Sequence, residues 1–297
     1  MADPARVTIA MAVYNSARTL ADAIESIRWQ TLPDWKLLLV DDGSRDESLA
    51  IARGFGDPRI EVIADGRNLG LATRLNQLVD RTDTPLFARM DADDIAWPRR
   101  LEAQLALLDA QPAVDLAGCG AVVIDAEDRA VSRYLPRETH EQICADPWQG
   151  FHLAHPTWCG RTAWFRKHRY REDYRKTQDQ DLLLTAHDSS RYACVPEVLF
   201  GYRMESPSLA KRARGRLNFS RSILREAGRR GLWWQAARGV SLQAAKMAVD
   251  AGQKLLGLDD WANRRRMAPL GEVDLAAWQA VVERLHAARG QRAAKGG

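Results

Sequence analysis

Cysteine is scarce in this chain of 297 residues: there are four, Cys119, Cys144, Cys159 and Cys194. None forms a C-x-x-C pair, so neither a disulfide framework nor a zinc site is expected. Cys119 and Cys194 stand among apolar residues and read as core thiols. No apolar run reaches the eighteen or so residues that a membrane-spanning helix needs. Residues 1–7 lack the apolar core of a signal peptide. The expected compartment is therefore the cytoplasm, with peripheral attachment to the inner face of the cell membrane as a further expectation. Two glycine-rich signatures are also missing. Without G-x-G-x-x-G a dinucleotide fold is disfavoured, and without G-x-x-x-x-G-K-[ST] an ATPase is.

Charge is present but unevenly placed. The formal net charge is +4. Residues 1–208 hold 25 basic and 32 acidic side chains, a balance of −7, whereas residues 209–297 hold 18 and 7, a balance of +11. An acidic body with a basic C-terminal part suggests two jobs.

The apolar pattern predicts strands at 7–13, 35–40, 60–64, 86–90 and 114–124. Helices are predicted between them, one capped by Asn15 or Ser16 and running to Trp29. Another opens on the capping-box spacing Ser44-Arg45-Asp46-Glu47, a third spans 71–79, and a fourth follows Pro98. This is the rhythm of a Rossmann-like, mostly parallel α/β sheet. Short elements are predicted at 131–134, 138–144, 182–186 and 195–202. From Ser208 the pattern turns helical. One apolar stripe comprises Leu209, Ala213, Leu217, Leu224 and Ala227, and a second runs from Trp233 to Leu255. A last helix is predicted over 274–288, and 289–297 reads as disordered.

The most informative segment is Phe87-Ala88-Arg89-Met90-Asp91-Ala92-Asp93-Asp94, where an apolar strand breaks into three carboxylates. Asp91 and Asp93, two apart in an extended turn, suit an oxygen-loving divalent ion bound to phosphate. Asp94 has the alternative of capping the next helix. A second acidic strand end, Asp41-Asp42-Gly43-Ser44, opens into the same crevice of a parallel sheet. Asp41 reads as a ligand contact and Asp42 as that or a turn former. Tyr14 ends the first strand and is placed to pack on a base. Gly70, in Asn68-Leu69-Gly70-Leu71, allows close backbone approach or positive φ. Asp179 and Asp181 suit a general base or helix N-terminal acids. His155, before Pro156, is a site imidazole or a loop residue.

Taken together these pieces resemble family 2 of the glycosyltransferases, which have the GT-A fold. The resemblance covers about 7–208. It rests on Ala12-Val13-Tyr14-Asn15, Val40-Asp41-Asp42-Gly43-Ser44, Asn68-Leu69-Gly70-Leu71-Ala72 with Leu75-Asn76, and Ala88-Arg89-Met90-Asp91-Ala92-Asp93-Asp94. Further pieces are Arg100-Leu101, Gln104, His155-Pro156-Thr157, Gln178-Asp179-Gln180-Asp181-Leu182 and Tyr202-Arg203 with Ser206 and Ser208. What it implies is transfer of a sugar from a nucleotide-diphosphate donor, UDP-linked by expectation, with inversion, to a hydroxyl of a glycan or lipid-linked acceptor. It also implies that Asp41 contacts the base with Tyr14 nearby, that Asp91 contacts ribose or donor sugar beside Arg89 and Gly70, and that Asp93 holds Mn2+ or Mg2+. Asp179 is then the catalytic base, with His155, Asp181 and Arg203 as acceptor or supporting residues. Two positions depart from the family pattern: Gln178 replaces a more usual Glu, and Ala12 a usual Pro.

A GT-A catalytic domain over 1–208 is expected, with a nucleotide-sugar half to about 110 and an acceptor half beyond. A basic helical extension over 209–297 follows it. For 209–256 the candidate partners are an anionic membrane surface, the catalytic domain itself and a second subunit. Nucleic acid is disfavoured, because the basic run carries no partner-fold motif. Rival readings of the whole are a nucleotidyltransferase acting on sugar phosphates and a non-catalytic nucleotide-sugar-binding protein at the membrane.

Overall fold

Strand and helix alternate through the first 110 residues, as the apolar pattern predicts. The computed structural model describes residues 4–174, 176–204, 208–257 and 268–296; Ser206 lies outside them. The order is β1 (Val7–Val13), α1 (Leu20–Arg28), β2 (Trp35–Asp41), α2 (Ser48–Arg53), β3 (Ile60–Ala64), α3 (Leu71–Arg81), β4 (Leu86–Arg89), β5 (Ile95–Ala96) and α4 (Arg100–Ala110). Then come β6 (Leu116–Ile124), β7 (Ala130–Tyr134), α5 (His140–Ile143), β8 (Cys159–Arg161), α6 (Thr162–Lys167), α7 (Gln178–Ala186) and β9 (Tyr192–Arg203). Three long helices close the chain: α8 (Leu209–Arg230), α9 (Trp233–Leu255) and α10 (Glu272–Gly296).

The strands form one sheet in the order β3-β2-β1-β4-β8-β6-β9-β5, with β7 added to β6. β3, β2, β1 and β4 run parallel. Beyond β4 the sheet is mixed: β8 is antiparallel to β4 and β6, while β9 is parallel to β6. Period-two alternation sends Val7, Ile9 and Met11 of β1 into the core beneath α1 and α4, and Ala10 into the core beneath α3 and α6. Both faces are therefore covered, as parallel strands require.

Several local expectations are corrected. Helix α1 starts at Leu20, with neither Asn15 nor Ser16 as its side-chain cap. The Ser44–Glu47 capping box does not form. Ser44 Oγ instead accepts from Asn15 N at 3.0 Å, and α2 begins at Ser48. Asp94 does not cap α4; its Oδ1 accepts from Arg203 N at 2.7 Å. The buried face of α8 carries Phe219, Ile223 and Ala227, whereas Leu217 and Leu224 are exposed. In α9 the buried positions are Ala236, Gly239, Gln243 and Asp250, so Trp233 and Leu255 of the expected stripe stand in solvent. Ala227 and Ala236 of the expected stripes are buried, but in α9 the contact with Trp148 and Gln149 is filled by Gly239 and Gln243, which an apolar period does not mark.

The tail is helical through Gly296, not disordered. Trp278, Val281 and Leu285 of α10 bury against Ile95, Trp97, Val122 and Ile124 at the β5–β9–β6 edge. Arg289 and Arg292 then pair with Asp22 of α1, and Arg289 also with Asp128. Polar composition suggested disorder because the acids that neutralise these arginines are far away in sequence.

Candidate active site

Because β1, β2 and β4 are parallel and adjacent, their C-terminal ends open into one crevice. Tyr14 follows β1, Asp41 ends β2 with Asp42 just beyond it, and Asp91 follows β4. A cleft of about 400 Å³ lies there, walled by Tyr14, Asp42, Asn68, Gly70, Glu172 and Tyr174 among others. Tyr14 is half exposed, at 49%, leaving a ring face available for stacking.

The two β2 carboxylates divide their work. Asp41 is buried and accepts from its own turn, Gly43 N and Ser44 N at 3.2 Å each to Oδ2. Asp42 reaches across to the start of α3. It accepts from Leu69 N at 2.7 Å, Gly70 N at 3.0 Å and Arg74 Nε at 2.8 Å. Gly70 has φ +86, a conformation that disfavours any side chain. Glu172 and Tyr174 line the cleft beside Asp42 and Asn68 without having stood out in the sequence. Glu172 and Tyr174 come from the irregular segment before α7, where no periodicity marks a position. Asn76, part of the Leu75-Asn76 piece of the resemblance, donates to Glu172 Oε1 at 3.1 Å and to Tyr170 O at 2.9 Å.

Asp91, Asp93 and Asp94 bring ligand oxygens within 4.8 Å of one another. Arg89, buried, donates from Nη2 to Asp91 Oδ1. Arg203 braces the loop, with Nε to Asp93 O at 2.8 Å, Nη1 to Asp125 O at 2.6 Å and Nη2 to Asp128 Oδ1 at 2.6 Å. The cluster is still short of positive charge. Asp94 Oδ2 is buried with no hydrogen-bond partner. Burial, then Asp91 and Asp93, pushes its carboxyl well above the usual range. Asp93 faces solvent, but protein atoms crowd the crevice floor around it. Its carboxyl is pushed up to about 6, by burial first and Asp91 second. A hard divalent cation would relieve both, and an all-carboxylate donor set suits one.

Asp179 sits in the first turn of α7, half-buried, with its carboxyl raised by burial and partly offset by Gln180 and Arg89. Burial first, and then Asp94 and Asp91, push the Tyr202 hydroxyl up. Asp181, two residues on, points about 200° away around the helix. It is buried against Ser222 of α8 and Arg171. His155 is buried, bonded through Nε2 to Tyr170 Oη at 2.9 Å and edge-on to Trp158. Burial and then Arg89 hold its imidazole well below the usual range, hence neutral. The structure thus brings Arg89 together with the Asp91–Asp93–Asp94 cluster, sets Asp179 in the first turn of α7, and ties Asp181, His155 and Arg203 into the packing by their own partners.

A parallel βαβ half with acidic strand ends, continued by a mixed half that carries a helix-borne carboxylate, defines an α/β enzyme of the GT-A glycosyltransferase kind. The family model described as "Glycosyl transferase family 2" matches residues 8–169, and the chain belongs to that family. It is 33% identical over 215 residues to EpsE of Bacillus subtilis (strain 168), a protein designated a glycosyltransferase. That match covers 70% of this chain and 76% of EpsE. Among solved structures, S. aureus TarS 1-349 in complex with UDP-GlcNAc superposes with a TM-score of 0.56 at 17% identity, over 74% of this chain and 66% of that one. The mannosyltransferase PcManGT from Pyrobaculum calidifontis, in complex with GDP-Man and Mn2+, superposes with a TM-score of 0.58 at 16% identity, over 95% and 87%. The protein is a family 2 glycosyltransferase with a candidate acidic metal-binding cluster. The nucleotidyltransferase and non-catalytic readings fall away. No helix of the described residues is long and apolar enough to cross a membrane.

Proposed function

We propose that the chain transfers a sugar from a UDP-sugar to a hydroxyl of a glycan or lipid-linked acceptor, with Mn2+ or Mg2+ at the acidic cluster. The observation that carries this is the Asp91–Asp93–Asp94 cluster, whose buried Asp94 Oδ2 has no partner. Asp93 is the principal metal ligand, and Asp91, held by Arg89, contacts ribose or the donor sugar. Tyr14 packs on the base. Asp41 shapes the turn that presents Asp42 and Gly70 to the nucleoside, so its own base contact depends on that turn. The bound ion supplies charge stabilisation where the leaving diphosphate develops it.

Asp179 accepts the proton of the acceptor hydroxyl as its oxygen attacks the anomeric carbon. The bond from that carbon to the diphosphate oxygen breaks on the opposite face, and the nucleoside diphosphate leaves with the electron pair. Its raised carboxyl makes Asp179 a stronger base than a solvated aspartate. Residues up to 208 carry this chemistry, and 209–297 form the helical extension. Exposed Trp233 and Trp234, next to the exposed Arg229 of α8, support reversible contact of the extension with an anionic membrane surface, as in a peripheral cytoplasmic enzyme. The test is calorimetric titration of UDP with and without Mn2+, in wild type and Asp93→Ala. Equal affinity in all four cases would sink the assignment.

A further inference from the structure

Thr177 has φ +62 and ψ 21, the left-handed conformation, in a residue that is not glycine. A β-branched side chain is a poor occupant of that region, and such a conformation persists only where its surroundings over-determine it. Thr177 stands immediately before α7, two residues from Asp179. Its carbonyl accepts from Asp181 N at 3.0 Å, a bond of the helix's first turn. The conformation of this one residue therefore sets the direction in which α7 leaves the turn, and with it the aim of the Asp179 carboxylate.

Helix α8 supplies what holds the turn. Lys176 O accepts from the Thr177 hydroxyl and, at 3.2 Å, from Asn218 Nδ2. The Thr177 methyl lies against Gly215, 3.6 Å from where a Cβ there would stand. Past Asp179, a hydrogen bond from Ser222 favours the Asp181 anion. Gly215, Asn218 and Ser222 follow one another at three and four residues and so share one face of α8. Asn218 and Ser222 are both buried. Burying a polar side chain is costly unless it is bonded, and packing alone would favour apolar residues here. What these two bond is the 176–181 segment, one on either side of Asp179.

We propose that α8 is the positioning element of the catalytic base, with Asn218 and Ser222 the positioning residues that hold the Thr177 turn and so aim Asp179. The inference rests on the reading of Asp179 as the base. It goes beyond that reading in making the extension a contributor to rate, although it brings no reacting group.

The test uses the full chain and follows UDP released with Mn2+ from UDP-glucose and from UDP-N-acetylglucosamine, water serving as the acceptor. Asn218→Ala is expected to lower kcat about tenfold while donor KM and UDP affinity stay within about twofold of wild type, the pattern of a displaced base. Glycine adopts a left-handed φ without steric cost, so in a Thr177→Gly background the same substitution is expected to lower kcat by only about twofold. Ser222→Ala removes a single hydroxyl and is expected to lower kcat about threefold with the same split. It decides the matter if Asn218→Ala does not fold. Ile223→Val trims the face of α8 turned to Gly239 of α9 and is expected to lower the unfolding midpoint with kcat unchanged. Wild-type kcat in Asn218→Ala and Ser222→Ala overturns the proposal. So does a loss of the same size in the Thr177→Gly background, or an equal loss in Ile223→Val, because either assigns α8 to general packing. Failure of the underlying reading is told apart by Asp179→Asn: UDP release by that variant at the wild-type rate removes the base itself.

Discussion

Trp278 lies over Gly201 so closely that a Cβ at Gly201 would meet the indole at 2.7 Å. The ring is 2% exposed, and its Nε1 donates to Asp128 O at 2.9 Å. Helix α10 is thus part of the folded core at the β9 edge. Gly201→Ala is expected to cost about 1–3 kcal/mol through overpacking, and Trp278→Ala about 3–5 kcal/mol. Urea denaturation of both variants checks this. Midpoints equal to wild type would mean that the edge is not packed as described.

Donor binding should depend on pH through Asp93. Its carboxyl titrates near 6 without metal, and protons compete with the cation for the ionised form. UDP affinity in Mn2+ is expected to be flat above about pH 7 and to fall towards a tenfold loss per unit below about 6. In Asp93→Asn the metal-dependent part should vanish and the pH dependence with it. A pH profile unchanged by the substitution would remove Asp93 from the metal site.

Asp179→Asn is expected to fold, to bind UDP and to transfer about a hundredfold or more slowly, as loss of a general base usually does. Burial raises the Asp179 carboxyl, and a base works only when ionised. The acid limb of kcat/KM in wild type should therefore lie above the ordinary aspartate range, with rate rising as pH rises. Near-normal turnover by the variant with an identified acceptor would rule Asp179 out as the base.

The thiols should be inert in the native state. Burial pushes Cys119 and Cys159 up to about 12, and both are closed off from solvent. Ellman's reagent at pH 8 is expected to modify neither until denaturant is added. Rapid labelling of either one, located by peptide mass, would contradict the packing under α4.

Full-length protein is expected to co-sediment with anionic vesicles at low salt and to be released as salt rises. Trp233→Ala with Trp234→Ala should weaken this without lowering the unfolding midpoint, because both rings are exposed. Vesicle binding that ignores salt and both tryptophans would remove the extension's outer face from that role.

The parallel half was legible because buried strands and acidic strand ends leave contiguous marks, as in 86–94. The roles within it were less so. Asp41 and Asp42 look alike in sequence, and only the fold shows which one turns inward and which reaches Gly70. Asp181 shares its motif with Asp179, yet the helical turn sends it to Ser222.

The pairing of Arg289 with Asp22 spans 267 positions, which bears on how the protein is made. At roughly 5–20 residues per second, the sheet edge formed by Ile95, Trp97, Val122 and Ile124 waits many seconds on the ribosome before Trp278 and Leu285 are synthesised. From the completion of β9 at Arg203 until then, an apolar sheet edge is uncovered on a nascent chain. Late closure of this edge predicts that synonymous changes slowing translation between 203 and 278 lower the soluble yield, and an unchanged yield would count against it.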